Sequence, residues 1–209
     1  MKSNNAVKKY YAGCHDKWDK KTEIVWKLRA LPSSIYQKKR LIDTVRILYT
    51  LDLGTPILDA PCGDGYVLMH LPMGSIGIDI DKHQAGIAQK RAPKSKVVVG
   101  DMEKMKFTRN YFTAVITAEF FEHVPDASGY IRELWRVLKK DGLFVVTVPK
   151  CHFLWKLRGL ASPIAKTEPQ CLTFTEEKVY NLFSGLKYKK IMMQEIAWGL
   201  NYLVVIKKL

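Results

Sequence analysis

Four acidic residues stand where short apolar segments end, and a glycine turn follows the first of them. Gly63 and Gly65 in this turn allow the backbone to approach a ligand closely. A carboxylate that closes a strand can accept both hydroxyls of a ribose, whereas several carboxylates together would repel a pyrophosphate. The set therefore predicts a site for a cationic nucleoside with free ribose hydroxyls. Its acidic members are Asp59, Asp79, Asp101 and Glu119.

The same turn lacks the features that bind phosphate groups. A dinucleotide site of the Gly-x-Gly-x-x-Gly type needs a third glycine, but the turn continues as GDGYVL over residues 63–68. No Lys-Ser or Lys-Thr follows the glycines, as a P-loop would require. These absences argue against both classes of nucleotide-binding site.

Alternating hydrophobic periods predict the elements that would position these residues. Strand-like and helix-like segments follow one another along the chain, and a helix is expected directly after the glycine turn. This order predicts an α/β fold with a doubly wound, mostly parallel seven-stranded sheet. The predicted strands are 57–59, 75–80, 96–100, 112–118 and 143–148, and the predicted helices are 35–51, 82–91 and 126–139.

The C-terminal part of the chain shows a different pattern. Residues 151–171 are irregular, which indicates a loop over an active site. Thr175 is suited to cap a helix that Gly185 ends, because acidic residues occupy its first turn. Residues 188–196 and 202–207 then predict two strands joined around Gly199. We expect an antiparallel hairpin to complete the sheet.

Composition and charge describe the surroundings of this site. The formal net charge is +14, of which residues 1–50 carry +8, residues 51–150 carry +1 and residues 151–209 carry +5. The basic flanks would attract an anionic substrate, an anionic membrane surface or RNA. No apolar run reaches the roughly 18 residues of a membrane span, and no secretory signal is seen. We expect a cytoplasmic protein, peripheral at a membrane surface if its acceptor is a lipid.

The cysteines favour neither a disulfide framework nor a metal site. Cys14, Cys62, Cys151 and Cys171 are far apart in the sequence and form no Cys-x-x-Cys pair. Reduced thiols and no bound metal are therefore expected.

Five segments, in order, resemble the class I S-adenosylmethionine-dependent methyltransferases, in particular the small group that contains the ubiquinone and menaquinone C-methyltransferases. Five motifs in the right order are more specific than a single glycine turn. The resemblance implies a Rossmann-like methyltransferase fold that binds S-adenosylmethionine and releases S-adenosylhomocysteine. The segments are 57–65 (ILDAPCGDG), 77–80 (GIDI), 100–102 (GDM), 117–125 (TAEFFEHVP) and 132–142 (RELWRVLKKDG).

The resemblance also implies roles for individual residues. Asp59, Gly63 and Gly65 would surround the methionine part of the cofactor, Asp79 would bind the ribose and Asp101 the adenine amine. The complete implied set of cofactor-binding residues is Tyr11, Asp59, Ala60, Pro61, Gly63, Gly65, Asp79, Ile80, Asp101, Met102, Ala118 and Glu119. The candidates to accept a proton from the methyl acceptor are Glu119, Glu122 and His123. Pro61 replaces the first glycine of the family's loop and therefore lacks an N–H donor.

Three functions agree with these features. The first is a methyltransferase that acts on a small-molecule, lipid or quinone-like acceptor. The second is an RNA methyltransferase that uses the basic flanks, and the third is a noncatalytic protein with the same fold. In each case residues 1–50 would form a basic helical extension over the site. Residues 51–209 would form the cofactor-binding domain, with a lid-like insertion at about 150–172.

Overall fold

The computed structural model describes residues 4–12, 31–153 and 172–209 of the chain. The helices in this part are α1 (Asn4–Tyr11), α2 (Leu31–Leu48), α3 (Lys82–Arg91), α4 (Ser128–Val137) and α5 (Glu176–Asn181). The strands are β1 (Ile57–Asp59), β2 (Ile76–Asp79), β3 (Lys96–Val99), β4 (Phe112–Ala118), β5 (Leu138–Pro149), β6 (Tyr188–Ile196) and β7 (Asn201–Lys208).

All seven strands form one sheet in the order β3-β2-β1-β4-β5-β7-β6. The pairs from β3 to β5 are parallel, while β7 runs antiparallel to both β5 and β6. This confirms the predicted mostly parallel sheet with a C-terminal hairpin. The chain moves outward from β1 to β3 and then returns to place β4 on the other side of β1. The reversal creates a crevice at the carboxyl ends of β1 and β4, where sheets of this kind bind ligands.

Helices cover both faces of the sheet, and each face has its own hydrophobic core. Successive residues of a strand point to opposite faces, so Phe144 belongs to one core and Val145 to the other. Both side chains are fully buried. The first core includes residues of α1, α4 and α5, and the second includes residues of α2 and α3. The unbroken apolar segment of β5 is thus explained by burial on both sides.

Side-chain caps determine where two of the helices begin. The Asp81 carboxylate accepts hydrogen bonds from the backbone N–H groups of His83 and Gln84, which fixes the start of α3. Thr175 accepts from the N–H of Lys178 and starts α5, as its sequence predicts. Because Asp81 follows β2 directly, the cap also places the start of α3 beside the crevice.

The expectation of a helix directly after the glycine turn is wrong in part. Only a short 3-10 helix, Leu68–His70, forms there. The segment between Gly65 and Pro72 is too short for several α-helical turns, and a residue that precedes proline disfavours the helical conformation. The predicted helix over 126–139 is also too long, since α4 ends at Val137 and β5 begins at the next residue.

The described parts of the N-terminal extension are helical, as α1 and α2 show. Residues 13–30, including Trp18 and Trp26, and most of the proposed lid, 154–171, lie outside the described residues. The division into extension, domain and lid therefore stays a prediction. Among the described helices, none combines the length and the apolar character that a bilayer crossing requires.

Candidate functional site

A cavity of about 350 Å³ lies at the carboxyl ends of β1 to β4. This volume falls within the usual range for small-ligand sites. Its wall brings together residues that are far apart in the sequence, including ten of those predicted for the site. These ten are Tyr11, Pro61, Gly63, Asp79, Ile80, Asp101, Met102, Ala118, Glu119 and His123.

Four other predicted residues lie outside the cavity wall. Asp59 and Ala60 are buried behind the glycine turn, and the N–H of Ala60 donates to the carbonyl of Ile116 in β4. Gly65 packs against α3, and Glu122 is buried next to His123. These four residues support the site from behind, so direct contact with a ligand stays a prediction for them.

Asp79 ties the end of β2 to the glycine turn. One carboxylate oxygen accepts the N–H of Gly63 at 2.8 Å, and the other accepts the N–H of Asp81 at 2.8 Å. Burial raises the pKa of Asp79, and these backbone donors act against that rise. Gly63 has φ +50°, and a Cβ there would meet open space. The turn thus offers a bare backbone surface beside a carboxylate, which fits a ribose and its neighbouring atoms.

Gly65 serves packing rather than ligand contact. Its φ is +79°, and a Cβ built there would lie 2.7 Å from the Cα of Ala88 in α3. No real Cβ contact is that short, so the close approach of the turn to α3 requires glycine. The sequence signal for a glycine was correct, but its physical reason lies in the helix behind the turn.

We expect the Gly65→Ala variant to lose about 2–5 kcal/mol of unfolding free energy, from a left-handed backbone and from overpacking. Gly74→Ala is the matched control, because Gly74 has φ +88° but open space around it. That control should lose only about 1–2 kcal/mol. Urea unfolding measures both losses, and equal values would contradict the packing role of Gly65.

Asp59 is a buried acid beneath the turn. It is 1% exposed, and its Oδ2 has no hydrogen-bond partner among the described residues. Burial, followed by the charge of Asp79, raises the pKa of Asp59 well above its usual value. The folded protein therefore holds a proton on Asp59 at pH values where the unfolded chain has lost it.

This raised pKa predicts how stability depends on pH. Above the unfolded value of 3.8, the folded state binds more protons, so the unfolding free energy falls as pH rises toward the folded pKa. The slope for one extra proton is about 1.4 kcal/mol per pH unit. Asp59→Asn should give a shallower slope in urea unfolding at about pH 4.5, 6 and 7.5. An unchanged slope would show that Asp59 titrates alike in both states.

Asp101 is not free to meet a cationic ligand, because Lys8 of α1 already binds it. The Lys8 Nζ lies 2.6 Å from Asp101 Oδ2, contacts Glu103 and lies 5.4 Å from the centre of the Tyr130 ring. Burial acts to lower the pKa of Lys8. The two carboxylates act in the opposite direction and leave the Lys8 pKa raised. Val7 on the same helix is buried in the core. α1 is thus fixed as part of the cavity wall.

Glu119 is likewise held by a polar cluster that we call the Glu119 network. Arg40 Nη1 of α2 donates to Glu119 Oε2 at 3.0 Å, and the Asn201 amide donates to both Glu119 oxygens at 2.8 and 2.9 Å. The Tyr36 hydroxyl donates a hydrogen bond to the side-chain amide oxygen, Oδ1, of Asn201. Burial acts to lower the pKa of Arg40, but Glu119, Tyr36 and Glu122 together outweigh it and raise that pKa. Glu119 also has φ +53°, a strained conformation that often marks functional sites.

Glu122 and His123 form a pair at the next turn of the chain. His123 Nε2 lies 3.6 Å from Glu122 Oε1, and the His123 ring faces Tyr11 with 5.3 Å between ring centres. Only His123 of the two reaches the cavity wall. The arrangement allows the buried carboxylate to orient the imidazole.

The hypothesis of four free carboxylates around the ligand therefore needs correction. Asp59 is buried behind the wall, and Asp101 and Glu119 have basic partners. Only Asp79 keeps its predicted place without a basic partner in the described part of the chain. Lys8, Arg40 and Asn201 also belong to the site, although no sequence motif indicated them. Lys8 and Arg40 had a signal, since both lie in the basic N-terminal part, but their partners are 79 to 95 residues away.

No group of three or more His, Cys, Asp or Glu side chains within the described ranges has a metal-binding arrangement. Of the cysteines in those ranges, Cys62 is buried and Cys151 is exposed, and both are free thiols. Cys14 and Cys171 lie outside the described residues.

Comparison with known proteins finds methyltransferases among the proteins similar to this chain. A methyltransferase domain model matches residues 58–146. A probable S-adenosylmethionine-dependent methyltransferase of Mycolicibacterium smegmatis is 26% identical over 99 residues, which are 46% of this chain and 38% of that protein. The mitochondrial ubiquinone biosynthesis O-methyltransferase of Bos taurus is 35% identical over 118 residues, 50% of this chain and 31% of that protein. The chain thus spans less than half the length of both relatives.

A solved structure agrees with the fold over nearly the whole chain. The magnesium protoporphyrin IX methyltransferase of Synechocystis PCC 6803, solved with bound S-adenosylhomocysteine, has a TM-score of 0.69 and 14% identity. The match covers 99% of this chain and 100% of that one. The domain match, the similar relatives and the shared fold agree with the five sequence motifs. Together these matches support a class I S-adenosylmethionine-dependent methyltransferase.

Proposed function

We propose that this chain binds S-adenosylmethionine in the described cavity and transfers its methyl group to a small-molecule acceptor. One observation carries the proposal: Asp79 and the bare backbone of Gly63 form a joined surface at the reversal of the sheet. A carboxylate in this position accepts two ribose hydroxyls, and a glycine without a neighbour at its Cβ position leaves room for the rest of the nucleoside.

The other predicted residues fit the same ligand by chemistry. Ile80 and Met102 supply apolar surface on either side of an adenine ring, and Asp101 lies next to them in the wall. Pro61 has no N–H, but its carbonyl oxygen remains available to a cationic amino group. Asp59 would act from behind the turn, through the position of the turn.

When bound, S-adenosylmethionine would supply a methyl group from a positively charged sulfur. The bond from the sulfur to the methyl carbon would break as the acceptor atom bonds to that carbon, and the sulfur would become a neutral thioether. The protein must align the acceptor and exclude water, and a strong base is needed only if the acceptor loses a proton. Among the predicted bases, His123 is the best placed, because it reaches the cavity and has Glu122 behind it. Glu119 is held by Arg40 and Asn201, so its role is to orient and to balance charge.

A small acceptor is favoured by the dimensions of the site. α1 and α2 contribute Lys8 and Arg40 to the wall, and the volume of about 350 Å³ suits a small ligand. Two of the similar proteins are named for small molecules, namely ubiquinone biosynthesis and magnesium protoporphyrin IX. The basic flanks, with a net charge of +14 over the chain, would then attract an acidic acceptor or an anionic lipid surface.

Two experiments test the proposal in sequence. Calorimetric titration with S-adenosylhomocysteine should give saturable binding to the wild-type chain. The Glu195→Ala variant is the control, because Glu195 pairs with Lys150 outside the cavity, and its affinity should match the wild type. The absence of binding to the wild type would remove the proposed function.

The second experiment identifies the acceptor class. The protein is incubated with radiolabelled methyl donor and separate metabolite, lipid and RNA fractions. Label in the metabolite or lipid fraction supports the proposal. Label in RNA that falls steeply with salt would instead support the RNA alternative. Cofactor binding without transfer to any fraction would support the noncatalytic alternative.

A further inference from the structure

The wall of the cavity contains a cation, Arg40, that is not among the proposed cofactor-binding residues. Arg40 lies in the wall, and its guanidinium contacts the Glu119 carboxylate and the ring of Tyr36. A guanidinium has five N–H donors, and these described contacts occupy only part of them. Arg40 therefore presents hydrogen-bond donors and a permanent charge toward the ligand space.

Arg40 and Glu119 offset each other's charge before any ligand binds. Glu119 carries one negative charge, but Arg40 and the Asn201 amide already use both of its oxygens. The pair is partly shielded from water, since the side chains are 19% and 12% exposed. Any sulfonium bound in the same cavity adds a positive charge that this pair does not offset. A second anionic group near Arg40 would lower the resulting repulsion.

We propose that Arg40 selects a methyl acceptor that presents an anionic oxygen, a carboxylate or an ionised phenol, to its guanidinium. This inference rests on the proposed function and names the acceptor class of the same site. The anionic oxygen accepts the remaining N–H donors of Arg40, a geometry in which guanidinium groups bind oxyanions strongly. The Glu119 network keeps Arg40 in place, because Asn201 and Tyr36 anchor the carboxylate that binds it.

Matched probes of equal size test this selection. Benzoate and benzamide differ in charge but hardly in shape, and their affinities are compared by NMR titration of the full chain saturated with S-adenosylhomocysteine. We expect benzoate to bind at least about tenfold more tightly, as one charged hydrogen-bonded contact would give. Equal affinities, or no detectable binding of either probe, would overturn the proposal.

Two variants show whether Arg40 is the cause. Arg40→Gln combined with Glu119→Gln removes both charges and leaves no buried ion alone, and it should abolish the preference for benzoate. Glu119→Gln alone keeps the cation and should retain or increase that preference. A preference that survives in the double variant would overturn the proposal. Failure of the wild type to bind S-adenosylhomocysteine would instead count against the proposed function, so the two failures can be told apart.

Discussion

The Asp79→Ala variant should bind S-adenosylhomocysteine at least about tenfold more weakly than the wild type. The side chain would supply the acceptors for two ribose hydroxyls, and it also accepts the N–H groups of Gly63 and Asp81. Alanine removes both contributions. The glycine turn then loses the hydrogen bonds to Asp79, and the ribose loses its carboxylate. Hydrogen bonds to charged groups contribute about 1.5–3 kcal/mol each, which makes a tenfold loss the lower end of the expectation.

Calorimetry with the variant and the wild type measures this loss. Thermal melting of both ligand-free proteins shows whether the variant is folded at the temperature of the titration. Asp79→Asn is the informative intermediate, because it keeps one oxygen acceptor in the same place and should recover part of the affinity. An Asp79→Ala variant that binds as tightly as the wild type would disprove the ribose assignment.

Breaking the Arg40–Glu119 pair should produce the largest loss of stability from a single polar change. Glu119→Ala leaves a largely buried guanidinium without its carboxylate, and it also removes the acceptor of the Asn201 amide. Loss of one partner of a buried ion pair costs about 3–5 kcal/mol. Since Arg40 retains 19% exposure, we expect a lower cost of about 2–4 kcal/mol.

A double-mutant cycle in urea unfolding isolates the pair. Arg40→Gln with Glu119→Ala should cost less than the sum of the two single changes, by about 1–3 kcal/mol. Asp64→Ala, which breaks an exposed pair with Arg91, is the control and should cost no more than about 1 kcal/mol. Strict additivity in the cycle would mean that Arg40 and Glu119 do not stabilise each other.

Local signals were sufficient for much of the fold. The bounds of α3 follow from the Asp81 cap and from hydrophobic spacing, and the apolar segment of β5 indicated burial on both faces. The 3-10 helix after the glycine turn was not predicted, although Pro72 leaves too short a segment there for several α-helical turns.

The candidate site was predictable in its acidic half and not in its basic half. Strand ends and glycines indicated Asp79 and Gly63 directly, because parallel strands bring their carboxyl ends to one edge. Lys8 and Arg40 lie on helices of the N-terminal part, and no local pattern shows which carboxylate each will meet. Each of these cations pairs with a carboxylate of the cavity wall, so the cavity is less negative than the sequence predicts.

The short ion pairs of Lys8 make the attachment of α1 insensitive to dissolved salt. α1 forms part of the cavity wall and is held by Lys8 together with Asn4, which exchanges hydrogen bonds with the backbone of Asp126. Lys8 Nζ lies 2.6 Å from Asp101 Oδ2, well inside the roughly 8 Å beyond which ions at 0.15 M screen charges, and the Lys8 side chain is only 17% exposed. We therefore expect α1 to stay attached in dilute buffer and in concentrated salt alike.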